Sequence, residues 1–161
     1  MAEIKSLTGA GWLKDADDNF QSLADNFQSL KSLAGLHVTK FTFDAEANDN
    51  AEEPASNKTM AAHPLAVSIP DNAIVISGHV DVIAAVTSGG SATVAISLVA
   101  DNDLLTATEL TGLTEGKQLP MAAVKTAPIK LSAEKAVTVT VGTAALTAGK
   151  FDGYIVWMEG A

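Results

Sequence analysis

The chain has 161 residues, 47% hydrophobic and 18% charged, which excludes the low-hydropathy, high-charge regime of disorder and fits one domain with a core plus an appendage. Nineteen acidic against ten basic residues leave a formal net charge of −9, which repels phosphate backbones and anionic headgroups and argues against nucleic-acid and membrane partners. Cysteine is absent, so disulfide staples and thiolate zinc sites are excluded, and stability must come from packing or oligomerisation.

Residues Met1 to Ala10 lack the basic-then-apolar pattern of a secretory signal, and no apolar run approaches the ~20 residues of a membrane span, so synthesis in the cytoplasm is expected. Residues 1–35 then form an N-terminal arm or helical segment with an internal duplication: Asp18-Asn19-Phe20-Gln21-Ser22-Leu23 recurs as Asp25-Asn26-Phe27-Gln28-Ser29-Leu30. This seven-residue period places Leu13, Phe20, Phe27 and Ala34 at one heptad position and Ala16, Leu23 and Leu30 at the other, the spacing of a helix seam. Gly35 stands where a C-terminal cap belongs. Three forms are open: an amphipathic helix lying on its own domain, a helical oligomerisation stalk, or an extended arm, since Asn, Asp, Ser and Phe are mediocre helix formers. All three place Phe20, Leu23, Phe27 and Leu30 against protein, and Leu13 of the same seam joins them as a candidate interface residue.

From Leu36 the period changes to two, which marks a domain boundary and opens a β domain over 36–161. Leu36 and Val38, then Phe41 and Phe43, predict a strand with a phase slip of the kind a β-bulge produces. Asp44 to Lys58 reads as an acidic loop. Leu65, Val67 and Ile69 alternate before a Pro70-Asp71-Asn72 turn. In the long run Ala73 to Thr87, Ile74, Ile76, Val80, Val82, Ala84 and Val86 are expected on one face and Ser77, His79, Asp81 and Thr87 on the other, with Gly78 marking a bend. Ser88-Gly89-Gly90 reads as a hairpin loop, so the strand holding Val94, Ile96 and Leu98 should pair with the one before it. Asp103 is a candidate cap for one or two helical turns ending at Gly112. Strands follow at Leu119 to Thr126, Ile129 to Leu131, Val137 to Val141 and Phe151 to Met158. The last is apolar on both faces and is placed centrally in a sheet or beneath a neighbouring subunit, which makes Trp157 a core or interface residue. Parallel βαβ architecture is excluded for want of crossover helices, leaving an all-β antiparallel sandwich or jelly roll.

The residues offer little chemistry. His37, His63 and His79 form no ligand pattern, and His79 with Asp81 reads as a polar pair on one strand face. Asp44, Glu46 and Asn48 begin like a calcium loop, but Asp49 stands where glycine is required and Ala55 where a bidentate Glu is required, so the acidic residues read as solvated. No nucleophile elbow occurs, and Gly89-Gly90 lacks the Lys and the helix of a phosphate loop. Glu52-Glu53 lack the aromatic platforms of a glycosidase cleft. No enzymatic activity, catalytic residue, metal or cofactor is expected.

Against this background the run from Phe41 to Met158, about three quarters of the chain, resembles the capsid decoration, cement or capsid-stabilising proteins of tailed bacteriophages. The phrases that carry the resemblance are Phe41-Thr42-Phe43-Asp44 with its acidic loop, Ala62-His63-Pro64-Leu65-Ala66-Val67-Ser68-Ile69-Pro70-Asp71-Asn72-Ala73-Ile74-Val75, the glycine turn before Ser91-Ala92-Thr93-Val94-Ala95-Ile96, and Leu146-Thr147-Ala148-Gly149-Lys150. The duplicated segment before Gly35 lies outside it. Such a resemblance implies a jelly-roll-like β-sandwich, assembled as a homotrimer on the outer capsid surface and clamping neighbouring major capsid protein subunits; the short N-terminal helical arm is expected from the heptad residues alone. A tail or head fibre component and a carbohydrate-binding β-sandwich module are the alternatives.

Overall fold

A computed structural model describes residues 35–47, 56–121 and 127–160. The chain divides into a unit Met1–Leu36 and a unit His37–Ala161. The heptad segment lies outside the described residues.

Nine strands occur among the described residues: β1 (Leu36–Asp44), β2 (Ala62–Ile69), β3 (Ala73–Ser88), β4 (Thr93–Ser97), β5 (Leu105–Glu109), β6 (Gln118–Pro120), β7 (Ile129–Lys130), β8 (Lys135–Gly142) and β9 (Leu146–Glu159). The only helical turn described is a 3-10 turn, Leu110–Gly112. One sheet has the order β1-β9-β3-β6, with β7 also on β3, and the other β2-β8-β4-β5. The pairing is nested: β4 lies beside β5, β3 beside β6 and β7, β2 beside β8, and β1 beside β9. The described chain is thus one long antiparallel hairpin, doubled at the β4–β5 connection and wrapped into two layers. Alternate residues of both layers fill the space between them. Phe41, Phe43, Ile69, Val75, Val80, Val82, Val94, Ile96, Val137, Val139, Phe151 and Ile155 are all at most 1% exposed.

The valine alternation of β8 is followed in full, with Val137, Val139 and Val141 buried. The last strand is central as expected, hydrogen-bonded between β1 and β3. Pro70-Asp71-Asn72 turns the chain, Asn72 taking φ 62° while its amide donates to the Asp71 carboxylate at 2.7 Å.

Four expectations are corrected. β1 needs no bulge to gather its apolar residues: alternation runs unbroken, Phe41 and Phe43 enter the core, and Leu36 and Val38 point the other way, 46% and 64% exposed. In β3 the register shifts between Val75 and Ser77, so Ala73 and Val75, rather than Ile74 and Ile76, share the buried side with Val80 and Val82. The extra residue of this bulge reverses the parity as far as Val82, beyond which the register shifts again. Ser88-Gly89-Gly90 is not a hairpin, because β3 and β4 lie in different sheets; β9 occupies one edge of β3, and β6 and β7 the other. The Ser88 hydroxyl donates to the Ala145 carbonyl at 2.6 Å and accepts the Gly90 amide at 3.1 Å, starting a crossover between layers ~10 Å apart. Asp103 caps no helix. Its carboxylate accepts the amides of Leu98, Val99 and Ala100 at 2.7, 2.8 and 2.9 Å and braces the loop between β4 and β5. Of the strand expected at Leu119 to Thr126, two residues, Leu119 and Pro120, belong to β6; Pro120 has no amide to extend the ladder, and residues 122–126 lie outside the described set.

Two glycines are required by close approach. A Cβ on Gly153 would stand 2.0 Å from the Phe41 ring, and one on Gly78 would stand 2.4 Å from the Met121 sulfur and 2.9 Å from the Tyr154 carbonyl oxygen. The Phe41 ring therefore lies directly on the β9 backbone. Gly153→Ala should cost roughly 1–3 kcal/mol by overpacking. Because the clash is with one flexible partner, Phe41→Leu in the Gly153→Ala background should cost less than in the parent, a non-additivity read from urea melts of the four proteins.

Candidate functional site

The two outward faces of the sandwich differ in chemistry. On β2, β4 and β8 the outward positions are Ala62, Pro64, Ala66, Ser68, Thr93, Ala95, Ser97, Ala136, Thr138 and Thr140, small and uncharged throughout. The outward face of β1, β9 and β3 carries charge, aromatic rings and a row of aliphatic side chains.

The chemistry of the second face begins with cross-strand links. On the outward side of β1 and β9, Thr42 Oγ1 donates to Asp152 Oδ1 at 2.6 Å, Lys40 Nζ meets Asp152 Oδ2 at 2.8 Å, and Lys150 Nζ meets Asp44 Oδ2 at 3.1 Å, while on the core side of the same two strands Trp157 Nε1 donates to Thr39 Oγ1 at 2.8 Å. The partners run in opposite senses along the two strands, as antiparallel pairing demands. Tyr154 stacks on His79, with centroids 4.9 Å apart and planes 16° apart, and Lys40 Nζ lies 5.7 Å from the Tyr154 centroid, so a Lys–Tyr–His ladder crosses three strands. Asp81 sits directly opposite Asp152 in the register and Ser77 opposite Val156. Ser77, Gly78, His79, Gln118, Leu119 and Pro120 line a shallow groove of about 360 Å³.

Burial pushes Asp152 upward, but hydrogen bonds from Lys40 and Thr42, with the charges of Lys40 and Lys150, outweigh it and hold the carboxyl below its ordinary value. Asp44 is held low first by the Glu46 amide, against partial burial and with help from Lys150. The hydrogen bond to Asp152 raises Lys40 above its ordinary value.

At one end of this face the polar network gives way to aliphatic residues. Ile74 pairs with Met158, Val156 follows on β9, and Val38 and Leu36 continue the outward side of β1. Ile74, Val156 and Met158 are half-buried and Leu36 and Val38 exposed. A sandwich face turned to water is ordinarily polar at such positions, so a covering surface fits here better than solvent.

The three histidines occupy separate surroundings. His63 is buried, with Nε2 2.9 Å from the Thr59 carbonyl oxygen; His37 stacks on Trp157 at 4.2 Å; His79 belongs to the ladder. Of the acidic-loop residues, Asp44 pairs with Lys150, and Glu46 with Lys58 at 2.6 Å, while Asp49, Glu52 and Glu53 lie outside the described residues. No group of three or more His, Asp or Glu among the described residues is placed to hold a metal ion. No described helix is long and apolar enough to cross a membrane.

Of the residues expected at an interface, Leu13, Phe20, Leu23, Phe27 and Leu30 lie outside the described set. Trp157 is 8% exposed and packs within its own domain, with its indole N–H on Thr39 and one ring face under His37. The ladder of Lys40, Tyr154 and His79 was not anticipated. The outward placement of His79 is legible in the alternation of β3, but its partners depend on which strand lies beside it.

No family model matches the sequence, and no curated protein matches it. Solved structures do match the fold. A chain of the acidic stable capsid structure of Helicobacter pylori bacteriophage KHP30 superimposes with a TM-score of 0.55 at 14% identity, covering 78% of this chain and 89% of that one. A chain of the capsid of Ralstonia phage GP4 gives 0.50 at 17% identity, covering 78% and 86%. A chain of the cyanophage Pam1 capsid asymmetric unit gives 0.51 at 12% identity, covering 77% and 83%. The protein is an all-β two-sheet sandwich of a kind found in phage capsids.

The lowered carboxylates set the acid response. Their contribution to stability is complete above about pH 4, the unfolded carboxylate range, and is lost as pH falls through the lower folded values. The parent should therefore lose stability on acidification below about pH 4, and Asp44→Asn/Asp152→Asn should flatten that part of the curve. At neutral pH, Asp152→Asn alone should cost about 1–2 kcal/mol in denaturant melts, since its lysine and hydroxyl partners remain.

Proposed function

We propose that this protein is a structural component of a bacteriophage virion that binds the outer surface of the capsid as a homotrimer and stabilises contacts between major capsid protein subunits. The observation that carries the reading is the fold likeness to three phage capsid chains, each covered over at least 83% of its length. The resemblance of Phe41 to Met158 to decoration proteins points to the same role. The nested pairing β4/β5, β3/β6, β2/β8 and β1/β9 supports a jelly roll.

A decoration protein works by spreading burial over interfaces, and two sheet faces low in unpaired charge suit that task. The heptad residues Leu13, Phe20, Leu23, Phe27 and Leu30 supply the subunit or capsid contact. The net charge of −9 disfavours contact with packaged nucleic acid. No catalytic step belongs to this function.

The experiment is a native mass measurement of the purified protein, followed by binding to undecorated capsids. The expected result is a trimer that saturates at a fixed ratio to major capsid protein. A few copies per particle would indicate a fibre component instead, and selective binding on a glycan array without capsid binding would indicate a carbohydrate module. Phe20→Ser/Phe27→Ser should weaken trimerisation or capsid binding by at least about tenfold while far-UV circular dichroism shows the β domain intact. If sedimentation and capsid binding are both unchanged, the heptad residues are not the contact.

A further inference from the structure

We propose that the first five residues of β1, Leu36–Lys40, form a displaceable strap over Trp157, hinged at Phe41. β1 is built in two unlike halves. From Phe41 onward it is anchored by Phe41 and Phe43, each at most 1% exposed, and the Phe41 ring is seated on Gly153. From Leu36 to Lys40 no residue is fully buried, and two of the five are exposed aliphatics.

The first half is attached through side chains instead. His37 stacks on the Trp157 indole, with its Nε2 3.6 Å from Glu159 Oε1; Thr39 accepts the indole N–H; Lys40 pairs with Asp152. Each of these links has one partner on the exposed first half of β1, and together they remove far less apolar surface from water than the two buried phenylalanines do, so the two halves differ in how readily they leave β9. β1 is also the terminal strand of its sheet, hydrogen-bonded to β9 alone among the described strands, so lifting its first half breaks no second ladder. Lifting the strap uncovers one face of the Trp157 ring and the adjoining backbone edge of β9, while Phe41 and Phe43 keep the sandwich closed.

The test is hydrogen exchange on the full-length chain, reading those β1 amides that point toward β9. Amides of residues 36–40 should exchange at least roughly tenfold faster than those of residues 41–44. A His37→Ala/Thr39→Val variant removes two attachments without touching Asp152. In a Trp12→Phe background it should raise acrylamide quenching of Trp157 and exchange at residues 36–40 several-fold, leaving exchange at residues 41–44 unchanged. Exchange of all β1 amides as one unit, or equal loss of protection in both halves of the variant, overturns the strap. Neither readout depends on capsid binding.

Discussion

The sandwich depends on one placement: β9 lies between β1 and β3, with Gly153 under the Phe41 ring. Because β1 and β9 are about 110 residues apart, as the Thr42–Asp152 bond records, every link between them closes a long loop before it stabilises anything. The nested pattern repeats this on a smaller scale for β2 with β8 and β3 with β6. Only β4 and β5 are near neighbours in sequence, so the doubled hairpin can close locally at its tip and must then zip outward. Such a topology folds slowly for its size and is cooperative once closed, since the outermost pair completes the sheet that covers the core.

With no cysteine, the chain secures its outermost pair by other means. The buried side of β1 provides Phe41 and Phe43, whose removal from water is worth roughly 1.5–3 kcal/mol each. The outward side provides Lys40, Thr42 and Asp44 on β1 facing Asp152 and Lys150 on β9. Isolated exposed ion pairs contribute little, but Asp152 is shielded and takes both a lysine and a hydroxyl, and this makes it the strongest polar link in the row. An acid inside an otherwise apolar strand is therefore explained by its neighbours on β1.

What was legible in the sequence is what depends on local period. The valines of β8, the Leu65–Ile69 alternation and the central position of the last strand follow from which residues repeat every second place. What was not legible depends on long-range register. The inversion of β3 arises from one extra residue between Val75 and Ser77, which leaves no mark in an unbroken aliphatic run. Ser88-Gly89-Gly90 has hairpin composition, yet its geometry is decided by β9 having already taken the edge of β3. Leu36 and Val38 fit a bulge as well as an exposed row, and only the partner strand decides. The polar ladder was hidden for the same reason: His79, Tyr154 and Lys40 belong to three strands far apart in the chain.

The distribution of charge bears on what each face of the fold can contact. Most of the acids of the β domain sit in connections and at strand ends, as Glu46, Asp71, Asp101, Glu115 and Glu134 do, or are paired across strands, as Asp44 and Asp152 are. The outward positions of β2, β4 and β8 carry no charge, and those of β1 and β9 carry charges that neutralise one another. Covering either face with another protein thus strands few unpaired ions, the term that ordinarily makes a polar surface costly to bury. The net charge of −9 acts at longer range and disfavours the approach of polyanions. With the outward positions of β2, β4 and β8 uncharged, and Asp44 and Asp152 each paired with a lysine, the described sandwich is suited to being covered by other protein.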